Sequence, residues 1–164
     1  MRIYLDVHGT LCDLVGAYLF YLEKENVVWP KGVYDFKEAI GQPLQYMPFS
    51  FWANLPLMKD VGSILNPIME KPAPVILISR SMDSSSALGT HCWCAKYFPD
   101  LPFITTPYLK GETLDVNEDM ILIDDCDMEL AAWHGPTIRV SRPWNCGEGD
   151  IETTLREELA RMVK

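Results

Sequence analysis

Basic residues are in short supply in this 164-residue chain: 14 lysines and arginines face 23 aspartates and glutamates, a formal net charge of −9. Proteins that bind nucleic acid generally rely on excess lysine and arginine to displace counterions from phosphates, so that class is set aside. No apolar run approaches the roughly 20 residues of a membrane span, so no membrane partner is expected. The opening Met1-Arg2-Ile3-Tyr4-Leu5-Asp6 puts a carboxylate where an export signal needs an apolar stretch. Cysteines number five and cannot all pair; without an export signal they read as reduced thiols in a cytoplasmic protein. Cys92-Trp93-Cys94 beside His91 has C-x-C spacing and no second ligand pair, so it reads as thiols packed on a helix rather than as a metal knuckle. Internal repeats and low-complexity tracts are missing as well. With 48% hydrophobic and 23% charged residues, the composition is nonetheless that of a folded chain. Its length suits one domain, with a small insertion, that buries a core without disulfides or a structural metal.

Five short apolar or β-branched runs stand out: Arg2–Val7, Val75–Ser79, Pro102–Thr105, Met120–Asp124 and Thr137–Val140. Runs of this length without strict alternation suit strands buried on both faces, as in a parallel sheet. Between them lie segments able to supply crossover helices. Asp83 is placed to cap a helix through Tyr97 that Pro99 stops, and Asp150 to cap one whose Ile151, Leu155, Leu159 and Met162 share a face. Alternating strand and helix predicts an α/β fold, a Rossmann-like parallel sheet of about five strands with right-handed crossovers. The stretch between the first two strands is too long for one crossover. Leu14–Glu25 reads as a helix, with Asp13 either its cap or a direct catalytic group, and residues 29–58 are rich in aromatics and prolines, among them Trp29, Tyr34, Phe36, Phe49, Phe51 and Trp52. This stretch therefore reads as a small cap inserted after strand one rather than a second domain.

In open α/β sheets ligands bind at the carboxyl ends of the strands. Strand one ends Asp6-Val7-His8-Gly9-Thr10, strand two Ser79-Arg80-Ser81 and strand four Asp124-Asp125, while Lys110 precedes strand four. A carboxylate, a hydroxyl, a lysine and a carboxylate pair thus converge on one sheet edge. Three acids with one lysine repel a phosphate. A hard divalent cation such as Mg²⁺ on Asp6 and the Asp124/Asp125 pair would remove that repulsion and leave Asp6 an oxygen with which to attack phosphorus. Eight acids fall between Glu112 and Glu129, so the acidity is concentrated where this pair lies. Asp127 and Glu129 themselves read as solvated.

The set Asp6-x-His8-Gly9-Thr10-Leu11, Ser79, Lys110 and Asp124-Asp125, in that order, resembles the haloacid dehalogenase (HAD) superfamily of aspartate-nucleophile phosphohydrolases. Leu11-Cys12-Asp13-Leu14, the aromatic Tyr18–Tyr21, Phe51-Trp52-Ala53-Asn54-Leu55-Pro56-Leu57, Lys96-Tyr97-Phe98 and Leu122-Ile123-Asp124-Asp125 are similar to its 5′(3′)-deoxyribonucleotidase branch. The resemblance implies a single HAD-like domain over residues 1–164 with a small helical cap at about residues 15–60, and Asp6 as the nucleophile and a Mg²⁺ ligand. The main-chain carbonyl of His8 and a carboxylate from Asp124 or Asp125 would be the other ligands. It implies that Ser79 and Lys110 hold the phosphoryl oxygens. The expected activity is Mg²⁺-dependent hydrolysis of a small phosphate ester, a (deoxy)nucleoside 5′-monophosphate, with no nucleic-acid partner; whether the chain forms a homodimer is left open. Phe49, Phe51 and Trp52 are candidates to stack the base, or they make the core of the cap.

Two positions depart from the family pattern. His8 stands where these phosphatases usually carry the aspartate that protonates the leaving group and then activates water. Either His8 does that proton work, or the chain is impaired and binds a nucleotide or partner without turnover, or His91 or His134 supplies the proton. Arg80 replaces a small hydroxyl residue, and either contacts phosphate or reaches out to the acidic surface. Trp144, Asn145 and Cys146 follow strand five and border the site at most.

Overall fold

A computed structural model describes residues 1–24, 26–33, 35–44 and 46–163. Its core is a five-stranded, all-parallel sheet of β1 (Arg2–Asp6), β2 (Val75–Arg80), β3 (Phe103–Thr106), β4 (Met120–Asp124) and β5 (Thr137–Arg139), in the order β3-β2-β1-β4-β5. This is the α/β, Rossmann-like architecture expected, and each strand falls on one of the five apolar runs. The chain builds outward from β1 through β2 to β3, then returns to the other side of β1 for β4 and β5. The crevice between β1 and β4 is therefore the topological switch point, where side chains at the strand ends are not covered by a crossover.

The side-chain period of two sorts the strands between two cores. Ile3, Leu5, Leu77, Ile121 and Ile123 face one layer, with Ile64 and Ile68 of α4 (Val61–Met69), Trp93 of α5 (Ser84–Tyr97) and Leu155 and Leu159 of the C-terminal helix Ile151–Met162. Tyr4, Ile78 and Leu122 face the other, against Trp133. Four helices join β1 to β2: α1 (Leu14–Tyr21), α2 (Phe36–Ile40), α3 (Phe49–Ala53) and α4. The last packs on the C-terminal helix, and α3 packs on α5.

Capping sets the helix ends as the sequence predicts. Asp83 Oδ1 accepts from Ser86 N at 2.8 Å while Ser86 Oγ accepts from Asp83 N at 2.9 Å, a reciprocal capping box. Asp150 accepts from Thr153 N, and Asp13 from Gly16 N. α1 stops earlier than the predicted Leu14–Glu25. Glu23 adopts φ 56°, and Lys24 N bonds to Leu19 O at 2.8 Å while Glu23 N bonds to Phe20 O at 2.9 Å, a left-handed closure that satisfies the last carbonyls. Glu25 and Tyr34 lie outside the described residues. α3 lies close against α5 at Gly89, where a Cβ would sit 2.4 Å from Trp52 Cβ. Among the described residues no helix is long and apolar enough to cross a membrane.

Candidate active site

The register of β1 on β4 pairs Tyr4 with Leu122 and Leu5 with Ile123, so the next step sets Asp6 opposite Asp124. Both side chains leave the sheet on the Tyr4–Leu122 side. There Lys110, the first residue of α6 (Lys110–Thr113), closes over them: its Nζ donates to Asp6 Oδ1, and to Asp124 Oδ2 at 2.5 Å. All three groups are buried. Burial alone would lower the Lys110 pKa, but the charges of Asp124, Asp6 and Glu129 together outweigh it and hold the ammonium well above its usual range. Ser79 leaves β2 on the opposite face. Its Oγ lies 3.1 Å from His8 Nδ1, and Thr90 Oγ1 of α5 lies 3.0 Å from His8 Nε2. Both ring nitrogens are thus engaged. Enclosure, with the nearby positive charge of Lys110, lowers the imidazole to about 3, so His8 is neutral at pH 7.

Asp125 is the most heavily braced acid. Thr10 Oγ1 donates to its Oδ1 at 3.1 Å, Trp144 Nε1 to its Oδ2 at 2.5 Å, and Asn145 Nδ2 to its main-chain oxygen at 2.7 Å. Asp6, Asp124 and Asp125 each offer an oxygen, and these atoms lie within 4.8 Å of one another. Burial raises all three pKa values, Asp124 to about 7, and mutual repulsion adds to the rise at Asp124 and Asp125, with Lys110 only partly offsetting it. Asp6 Oδ2 is buried without a hydrogen-bond partner among the described residues. A hard, oxygen-only donor set that is short of positive charge and has one orphaned carboxylate oxygen fits a divalent cation such as Mg²⁺. It suits zinc less well, because no thiolate or imidazole belongs to the cluster.

The loop after β1 depends on Gly9. Its φ of +88° lies in the left-handed region, and a Cβ there would stand 2.5 Å from Asp125 Oδ2. Gly9→Ala is expected to cost roughly 2 kcal/mol, from backbone strain and displacement of the Asp125 carboxylate. Thermal melting should show a midpoint several degrees lower; an unchanged midpoint would mean the loop is loose.

These groups line one cavity of about 640 Å³. Asp6, His8, Ser79, Arg80, Lys110, Asp124 and Asp125, all singled out from sequence, are in its wall, with Leu14, Phe36, Pro43, Leu44 and Met128 as apolar neighbours. The three proposed base-stacking residues are not. Trp52 is buried with its ring 5.2 Å from that of His8, Phe51 packs against Tyr18, Tyr21 and Trp52, and Phe49 is exposed. His91 and His134 are surface residues outside this wall, which removes them as proton sources. Arg80, in the cavity wall, has its Nε 3.2 Å from Glu129 Oε1. That acid corrects the reading of Glu129 as solvated: it is 2% exposed, and its Oε2 accepts from Lys110 N at 2.8 Å. Asp127 does stay at the surface, in an ion pair with Arg139. Asp13 only caps α1, away from the cavity.

Sequence reasoning passed over Arg142, which is 5% exposed. It donates through Nε to Gly9 O at 2.7 Å and through Nη2 to Thr10 O at 3.1 Å, and it holds Asp60 with two bonds. The available signal was an arginine just beyond an apolar strand in an acidic protein, followed by Pro143-Trp144-Asn145.

The chain matches no family model and no curated protein. Its fold is similar to a chain in the solved Pnkp1/Rnl/Hen1 complex, with a TM-score of 0.50 and 18% identity over 85% of this chain and 45% of that one. The present chain thus spans less than half the length of that protein. A hydrolase from Pseudomonas syringae aligns over 95% of this chain and 98% of its own, with a TM-score of 0.48 and 11% identity. At 18% identity the first likeness concerns fold alone, and it agrees with the α/β parallel-sheet architecture expected from the sequence.

Proposed function

We propose that this chain is a Mg²⁺-dependent phosphomonoesterase that hydrolyses (deoxy)nucleoside 5′-monophosphates through a phospho-aspartate on Asp6. The observation that carries the reading is the Asp6 carboxylate itself. One oxygen is held by Lys110, and the other is buried and unbonded among the described residues, beside two further aspartates at the switch point of the sheet. Asp6, Asp124, Asp125 and the main-chain oxygen of His8 would hold the cation. When bound, it would neutralise the carboxylates and draw the phosphoryl oxygens toward Asp6.

The remaining work falls to the chain's own groups. Lys110 orients Asp6 and, with the Ser79 hydroxyl, offers donors to the phosphoryl oxygens. An Asp6 oxygen bonds to phosphorus as the ester P–O bond breaks, and the leaving oxygen keeps the electron pair and takes a proton. Water then adds to the acyl phosphate, releases orthophosphate and returns Asp6 as a carboxylate. His8 carries one ring proton between two hydroxyls, so it can accept at one nitrogen and donate from the other, relaying a proton through Ser79 or Thr90. Apolar walls at Leu14, Phe36, Pro43 and Leu44 suit a flat organic moiety such as a nucleobase.

A second reading, nucleotide binding without turnover, is favoured by one feature: both His8 nitrogens are occupied where the resembled phosphatases carry an aspartate. Orthophosphate release from a panel of nucleoside and sugar monophosphates, with Mg²⁺ or EDTA, separates the two. The enzyme reading expects Mg²⁺-dependent release by wild type that His8→Ala lowers by about 10²–10⁴-fold. A silent wild type with turnover gained in His8→Asp would establish the binding reading instead.

A further inference from the structure

The chain has five tryptophans, and each indole N–H has an acceptor. Trp29, Trp52, Trp93 and Trp133 donate to the main-chain carbonyls of Val33, Met47, Leu55 and Met120. Trp144 differs from these four: it donates to a carboxylate, Asp125 Oδ2, at 2.5 Å. That acid belongs to the buried cluster with Asp6 and Asp124. In a buried site a hydrogen bond is stronger than in water, and one from a fixed indole sets the torsion of the carboxyl group that accepts it.

The turn that delivers Trp144 is itself braced. Residues 143–145 form a single 3₁₀ turn. Asn145 Oδ1 accepts from Arg142 N and from Gly147 N, both at 2.9 Å, while its Nδ2 donates to Asp125 O and Val140 O, both at 2.7 Å. The indole ring is buried and meets the Trp29 ring edge-on, at 6.4 Å between centroids. Trp144 therefore cannot swing away without opening both the turn and a small aromatic cluster. The opposite oxygen of Asp125 is held by Thr10 Oγ1, on the loop that follows Asp6.

We propose that Trp144 is a positioning residue for the divalent cation: through its bond to Asp125 it presets the orientation in which that carboxylate meets the metal. The proposal rests on the reading of the acidic cluster as a Mg²⁺ site. Partners that orient a metal ligand from behind commonly change affinity by about 10–100-fold when removed.

Trp144→Phe keeps an aromatic ring at this position and deletes the donor together with part of the indole. Isothermal titration of EDTA-treated full-length protein with Mg²⁺ should give a Kd about 10–100-fold weaker in Trp144→Phe than in wild type. Its melting temperature in EDTA should stay within a few degrees of wild type. A second measurement needs no variant: of the five indole ¹H–¹⁵N resonances of wild type, that of Trp144, assigned through its contact with the Trp29 ring, should shift most on saturation with Mg²⁺. Equal affinity in a folded Trp144→Phe, or a Trp144 resonance unmoved while wild type binds, overturns the role of Trp144 and leaves the metal site standing. If wild type itself binds no Mg²⁺, the metal reading fails and this inference fails with it.

Discussion

Asp6→Asn should reduce orthophosphate release by roughly 10⁴-fold or more, because a nucleophile has no substitute in a covalent mechanism. The amide is nearly isosteric, so the fold should survive. Asparagine brings a neutral group into a site where burial already pushes the acids toward protonation, with mutual repulsion adding at Asp124 and Asp125. The variant should therefore melt no lower than wild type in EDTA, which separates loss of chemistry from loss of structure. A stopped enzyme with intact melting is the expected pair of results, measured by phosphate release and by thermal denaturation. Substantial turnover by Asp6→Asn would show that Asp6 is not the attacking group, whatever the metal does.

The second large effect concerns stability. Arg142 joins three stretches far apart in sequence: the loop after β1 through Gly9 and Thr10, the residue before α4 through Asp60, and the turn after β5 on which it stands. Arg142→Met keeps much of the aliphatic stem and removes the guanidinium. It leaves two carbonyls without their donors, and Asp60, whose side chain is 35% exposed, without its partner. Breaking a buried ion pair by removing one member commonly costs about 3–5 kcal/mol, and the partial exposure of Asp60 puts the expectation at the low end, about 3 kcal/mol. For a chain of this size that lowers the melting temperature by roughly 6–12 °C. Arg142→Lys should recover only part of the loss, since an ammonium cannot hold two carbonyls and a carboxylate with one planar fork. A melting point unchanged in Arg142→Met would mean that water replaces the guanidinium at no cost and that the clamp does not hold the loop.

Much of this molecule was legible along the chain because the relevant physics is local. A parallel strand buried on both faces must be apolar over its length, so β1 to β5 appear as short apolar runs. Caps act over three or four residues, so Asp83 and Asp150 mark their helices. Asp6, Ser79, Lys110 and Asp124-Asp125 could be assembled because the carboxyl ends of parallel strands share one edge of the sheet. The end of α1 was less legible, since its left-handed closing residue is Glu23 and not the glycine or asparagine that would have announced it.

What the sequence by itself determined, then, is the succession of strands and capped helices and the stock of acids, hydroxyls and one lysine at their ends. Only the tertiary structure decided which of these groups meet. Glu129 looks like any surface acid until Arg80 and the α6 backbone close around it. Trp144 and Arg142 owe their importance to partners 19 and 133 positions away in the chain. Charge pairing and burial depend on distance in space, and a residue's neighbours along the chain carry no record of that distance.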